Sequence, residues 1–147
     1  MSDPRRVLVV ANVTATSPTL QTQLQRLSAE APTHFTLLVP ASSGAGDRSL
    51  TWEENEVWHH AEANMNRAVE RLRAAGLDVE GRVGAPDPVN AVNDLLLTEH
   101  FELLVVSTLP EHRSPWLGAS LPDRLAEETG LDVLHVISQE ERSTVSG

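Results

Sequence analysis

Residues 101–137 read FELLVVSTLPEHRSPWLGASLPDRLAEETGLDVLHVI and are the most informative part of the chain about its fold. The apolar run at 103–106 is typical of a buried strand, a polar loop follows from Ser107 to Gly118, a short helix opens at Ser120, and a second strand covers 133–137. Ligands of an open α/β sheet bind outside the carboxyl ends of the strands, where a helix N-terminus attracts anions. The sequence therefore predicts that this loop borders any ligand site.

Strand and helix patterns alternate along the rest of the chain. Residues 7–11 and 35–39 are continuous apolar runs, as expected of strands buried on both faces, whereas 79–83 alternates apolar and charged residues, which favours an edge strand. Helices are predicted from three start signals, namely Ser17-Pro18, Thr51 with Glu54, and Asp87-Pro88, and Gly76 is a plausible stop for the second.

This order of five strands and four helices predicts an α/β fold. Crossovers of this length imply a single open parallel sheet with helices on both faces, a Rossmann-like arrangement. We expect one domain over 1–147, with its core at about 5–137 and a frayed tail at 138–147.

Composition excludes several classes of function. The chain of 147 residues has 21 acidic and 11 basic residues, a net charge of −10, and all of its basic residues are arginine. That acidic field disfavours nucleic acid and anionic membranes as partners. Because cysteine and lysine are absent, thiol catalysis, cysteine-bound zinc, Walker-A lysines and Schiff bases are excluded. No apolar segment approaches ~18 residues, so we expect a cytoplasmic protein.

Two loops contain candidate ligand contacts, and each has a purely structural alternative. The backbone N–H groups from Gly118 to Ser120 could cradle a phosphate with Arg113 as a clamp, or Ser120 could simply cap its own helix. Asn12, after the first strand, could bond a base or ribose, or it could satisfy turn backbone groups.

Other chemical sites find little support in the sequence. His59 and His60 are neighbours on a helix and point about 100° apart, so they cannot chelate one ion together, and the other histidines are scattered. Paired glutamates occur only as sequence neighbours on predicted solvated surfaces. We therefore expect no metal site and no catalytic residue.

Several segments together resemble the universal stress protein (UspA-like) family. They are RVLVVAN at 6–12, RLRAAGL at 71–77, GAPDPVNAV at 84–92, WLGAS at 116–120 and VLHVI at 133–137. The resemblance implies strand order 3-2-1-4-5, a homodimer formed through the last strand at Val133, His135 and Ile137, and in some members ATP bound where the strand order reverses. The candidate crevice then comprises Asn12, Val39, Ser107, Arg113, Gly118 and Ser120.

The chain departs from the family's nucleotide-binding pattern. ATP-binding members carry G-x2-G-x9-G-[ST] after the fourth strand, whereas here Ser107 and Pro110 replace the first two glycines. Gly118 matches the third glycine two residues early, Ser120 could supply the hydroxyl, and Asn12 replaces an aspartate. Since proline lacks an N–H and glycine lets the backbone approach phosphate, we expect weak or absent ATP binding at this degenerate site.

The resulting hypothesis is a non-enzymatic, homodimeric stress-response module that contacts a protein partner or senses a small ligand. ATP is a possible ligand, and no cofactor is firmly predicted. The alternative is an ATP-binding universal stress protein or slow nucleotide hydrolase that uses the 107–120 loop. In it Arg113 and Ser120 hold phosphate, Asn12 holds the nucleoside, and Glu111 or Asp123 holds a Mg²⁺-bound water.

Overall fold

The computed structural model describes residues 4–11, 17–40, 51–84, 87–108 and 121–137, with backbone only at 51–57. Strands and helices alternate as the sequence predicts. In chain order they are β1 Arg5–Val10, α1 Pro18–Glu30, β2 Thr33–Pro40, α2 Thr51–Ala74, β3 Asp78–Gly84, α3 Pro88–Leu96, β4 Leu103–Thr108, α4 Leu121–Thr129 and β5 Asp132–Ile137.

All pairings within the sheet are parallel, and the strand order is β3-β2-β1-β4-β5. The predicted Rossmann-like α/β fold and its order 3-2-1-4-5 are therefore confirmed. The chain builds outwards from β1 to β3, then returns to β1 and builds outwards on the other side with β4 and β5. The order thus reverses between β1 and β4, and β3 and β5 are the two edge strands.

Alternate side chains of β1, β2 and β4 belong to two separate cores, as a sheet covered on both faces requires. One core lies between the sheet and helices α1 and α2, and the other lies between the sheet and helices α3 and α4. The strands contribute Val7, Val9, Ala11, Phe35, Leu37, Val39, Val79, Val105 and Val136 to the first and Leu8, Val10, Leu38, Leu104 and Val106 to the second.

The helix boundaries predicted at Ser17, Asp87 and Gly76 have the expected local chemistry, whereas the side chains of Thr51 and Glu54, and Ser120, lie outside the described residues. The Ser17 hydroxyl oxygen accepts the N–H of Thr19 at 3.1 Å, and the Asp87 carboxylate accepts the N–H of Val89 at 3.0 Å. Gly76 follows α2 with a φ of +90°, a conformation that glycine adopts without the steric cost of a Cβ. These signals are local, which explains why they could be identified without the tertiary structure.

Two of the central strands extend further than their apolar runs predict. β1 begins at Arg5, whose N–H donates to the carbonyl of Pro32 at 2.9 Å, and β2 begins at Thr33. The polar side chains at these ends have partners: the Arg5 guanidinium donates to the carbonyl of Leu27 at 2.9 Å, and the Thr33 hydroxyl donates to the carbonyl of Ala31 at 2.8 Å. Within the described residues, no helix has the length and apolar character that crossing a membrane requires.

Candidate functional site

The carboxyl ends of β1, β2 and β4 form the floor of the candidate crevice. Val10 pairs with Leu38 on β2 and with Val106 on β4, so the next residue, Ala11, lies between Val39 and Ser107. The N–H of Ala11 donates to the carbonyl of Leu38 at 3.2 Å and continues this register. Val39, Ala11 and Ser107 thus form a row across the sheet, in which the predicted crevice residues Val39 and Ser107 lie on either side of Ala11.

This floor lies where the strand order reverses. From β1 the chain leads to the β2 side of the sheet, and from β4 it leads to the β5 side. Ligands of open α/β sheets bind outside the carboxyl ends of the strands at such a point. Val39, Ala11 and Ser107 are fully buried, and Ala11 and Val39 face the α1 and α2 side. The row of these three residues is therefore apolar apart from the Ser107 hydroxyl, and none of the three is charged.

The other predicted contacts belong to the segments that follow β1 and β4 in the chain. Asn12, Arg113, Gly118 and Ser120 all lie outside the described residues. The structure thus brings Val39 and Ser107 together and leaves the contributions of the four loop residues as predictions.

Thr108, which is not among the residues predicted from the sequence, follows Ser107 and is only 2% exposed. Thr108 Oγ1 lies 2.8 Å from His135 Nε2, and this hydrogen bond joins the end of β4 to β5. Burial lowers the pKa of His135, although the negative charge of Asp123 on α4 acts in the opposite direction. The two consecutive hydroxyl residues that follow the apolar run place a polar side chain on each face of the sheet, but they do not indicate which residue Thr108 contacts.

The predicted dimer residues lie on the edge strand β5, as expected, but they are not equally accessible. Val133 packs against the α3 and α4 core, His135 is half-buried beside Thr108, and Ile137 is 47% exposed. In the described chain the outer side of β5 pairs with no other strand. Unpaired backbone at a sheet edge is a template for another strand.

No group of three or more His, Asp or Glu side chains suited to a metal ion occurs among the described residues. His59, on the exposed side of α2, is 75% exposed and 3.9 Å from Glu62. A contact of this length at the surface offers an ion no enclosed coordination sphere.

Comparison with known proteins identifies the fold. No protein-family model matches the chain, and no curated protein matches it significantly by sequence. Solved structures do match. A universal stress protein in complex with cAMP superposes with a TM-score of 0.63 and 22% identity, over 93% of this chain and 99% of that one.

Two structures from Archaeoglobus fulgidus are also similar. One universal stress protein has a TM-score of 0.62 and 12% identity, and the match covers 90% of this chain and 93% of that one. A universal stress protein in complex with dAMP has a TM-score of 0.63 and 13% identity, and the match covers 92% and 99%. The resemblance to universal stress proteins is thereby confirmed at the level of the fold.

Proposed function

We propose that this chain, which has the fold of the universal stress proteins, is a cytoplasmic stress-response module of that family. It forms a homodimer, acts through contacts with a partner protein, and performs no chemical step. The observation that carries the proposal is the match over at least 90% of the chain to universal stress proteins with the same open sheet. The quoted sequence segments support it independently, because they occur in the same order along the chain.

The proposal includes weak or absent ATP binding. Ser107 stands where ATP-binding members have a glycine, and it brings a Cβ and a hydroxyl to the buried end of β4, beside Ala11. The row of Val39, Ala11 and Ser107 offers no positive charge to a triphosphate, and the chain carries a net charge of −10. Binding of ATP would therefore depend on Arg113 and on the backbone N–H groups of a loop in which proline replaces a glycine.

A second candidate is binding of a nucleotide with a single phosphate. Solved structures with this fold contain cAMP and dAMP, each of which has one phosphate. A monophosphate brings less negative charge to an acidic protein than ATP does.

A thermal-unfolding titration with Mg-ATP, ADP, AMP and cAMP tests both candidates. A ligand at 100 times its Kd stabilises the native state by about 2.7 kcal/mol, which is several degrees for a domain of this size. We expect no shift with millimolar ATP. A saturable shift with ATP that is lost in Arg113→Ala would contradict the proposal of weak or absent ATP binding. A shift with AMP or cAMP alone would support the second candidate.

The homodimer is tested at the β5 edge. Ile137→Lys places a charge on this edge, and Leu97→Lys is a matched control because Leu97 is 82% exposed in the turn after α3. We expect the wild type and Leu97→Lys to sediment as dimers at micromolar concentration and Ile137→Lys to sediment as a monomer. A monomeric wild type, or an Ile137→Lys variant that stays fully dimeric, would refute this interface.

A further inference from the structure

A chain of charged side chains crosses three strands at the base of the sheet, on the side of α3 and α4. In spatial order it runs Asp78, His34, Glu80, Arg82, Glu99 and Arg6. The successive nitrogen–oxygen distances are 3.0, 3.4, 3.8, 2.9 and 2.8 Å. Acidic and basic groups alternate along the whole chain, and His34 is the only member whose charge changes near neutral pH.

The position of His34 between two carboxylates has a direct chemical consequence. Its Nδ1 lies 3.0 Å from Asp78 Oδ2, and its Nε2 lies 3.4 Å from Glu80 Oε2. A neutral imidazole has one N–H and can donate to one of these oxygens, so its other nitrogen would direct a lone pair at an acceptor. Only the imidazolium, which has two N–H groups, satisfies both carboxylates.

We propose that His34 is a proton-sensitive clamp between β2 and the edge strand β3. Protonated His34 bridges two residues of β3, Asp78 and Glu80, and loss of the proton releases one of them. Helix α2 packs on the opposite face of β3, with Met65 and Val69 close to Gly81. Because the clamp holds β3 against β2, it also stabilises the packing of α2 on β3. The clamp is closed in acid and loosens as the pH rises.

The surrounding charges determine how strongly the proton is held. From β3, Asp78 and Glu80 favour the imidazolium, whereas Arg82 on the same strand opposes it. From β1, Arg6 is the register partner of His34 and also opposes protonation, but its guanidinium is occupied by Glu99 and lies 5.0 Å from the ring centroid of Phe101.

Burial alone would lower the pKa of His34, and the hydrogen bonds and charges of Asp78 and Glu80 outweigh it, so the pKa is raised above 6.5. Stability from a raised histidine pKa is fully present below the unfolded value and is lost as the pH rises through the folded value. The clamp therefore stabilises the fold below pH 6.5 and loses its effect as the pH rises through the higher pKa of the folded state.

An NMR titration of the histidine side chains tests the geometry. We expect a pKa for His34 above 6.5 that falls in Glu80→Gln and in Asp78→Asn, and that is unchanged in His59→Gln, a control at an exposed histidine. Asp78 is 69% exposed, so its variant is expected to fold. A His34 pKa at or below 6.5 in the wild type, or one that neither carboxylate variant lowers, would overturn the proposal.

Urea unfolding tests the coupling to stability. The folding equilibrium constant is compared at about pH 5.5 and about pH 8.5. Linkage requires this constant to change about tenfold for each unit by which the pKa of His34 in the folded state exceeds its pKa in the unfolded state. We expect this factor to vanish in His34→Gln and to persist in His59→Gln. Each variant is compared with the wild type at both pH values, so the contributions of other titrating groups, including His135, to the pH dependence of stability cancel. An identical pH dependence in His34→Gln and the wild type would refute the clamp.

Discussion

The contact of α2 with β3 at Gly81 leads to a quantitative prediction for Gly81→Ala. A Cβ at this position would lie 2.8 Å from Met65 Cγ and 2.9 Å from Val69 Cγ2, where ordinary contact begins at 3.4 Å. Met65 can change rotamer, but Val69 is β-branched and 7% exposed, and such side chains have one strongly preferred rotamer in a helix. Helix α2 must therefore move outwards by about half an ångström, the difference between 2.9 and 3.4 Å.

The expected cost follows from two opposing terms. Overpacking of a well-packed core costs about 1–3 kcal/mol. Replacing glycine also restricts the unfolded chain, which offsets about 0.4–1 kcal/mol of that cost. We expect Gly81→Ala to lower the free energy of unfolding by about 1–2 kcal/mol. For a domain of this size each kcal/mol lowers the Tm by about 2–4 °C, so the Tm should fall by roughly 2–8 °C.

Urea and thermal unfolding of a double-mutant cycle provide the assay. Met65→Ala removes part of the crowded side chain, so it should cost less in the Gly81→Ala background than in the wild type, with a coupling of about 0.5–3 kcal/mol. Gly130→Ala is the control for a glycine replacement without crowding. At Gly130 the φ of +72° strains alanine, but no atom lies within 4 Å of the added Cβ. A Gly81→Ala protein as stable as the wild type, or strict additivity with Met65→Ala, would refute the reasoning.

Three further predictions concern the start of α3, the core and His135. Asp87→Ala removes the acceptor for the N–H of Val89 at the start of α3 and should cost about 1 kcal/mol in urea unfolding, whereas Asp94→Ala at an exposed site of the same helix should change little. Leu104→Ala, at a fully buried site, should cost about 2–5 kcal/mol, against about 0.5 kcal/mol or less for Leu97→Ala; equal costs would contradict the assigned core. Burial lowers the pKa of His135, so its contribution to stability is present above pH 6.5 and is lost as the pH falls through the lowered pKa; an NMR titration should give a value below 6.5, and a higher value would contradict the burial beside Thr108.

Local signals made most of the fold predictable. The cap residues Ser17 and Asp87 act within three residues of themselves, and Gly76 ends α2 through its own φ. The alternation of apolar and charged residues in β3 correctly predicted that β3 is an edge strand, because an edge strand keeps polar side chains in water. Since these patterns are short in range, a single chain displays them without an alignment.

The candidate site was less predictable than the fold. The apolar run at 103–106 predicted a loop from Ser107, which is wrong, because the strand pairing of β4 continues through Ser107 to Thr108. Val39 closes the apolar run at 35–39 and lies near the end of β2, as that run predicts. That Ala11 lies between Val39 and Ser107 depends on the register of three strands. The partnership of Thr108 with His135 joins residues 27 positions apart, and nothing in the sequence around either residue indicates it.

The order of the elements and the chemistry that the chain lacks follow from its amino acids alone. An acidic chain without lysine or cysteine cannot use the ammonium of a lysine or a thiol, whatever its fold. Which charges meet depends on the folded arrangement of the strands. His34 lies between Asp78 and Glu80, residues 44 and 46 positions away, because the parallel register of β2 and β3 brings them to one face of the sheet. Titration of a side chain depends on neighbours within a few ångströms, and that distance is set by folding rather than by position along the chain.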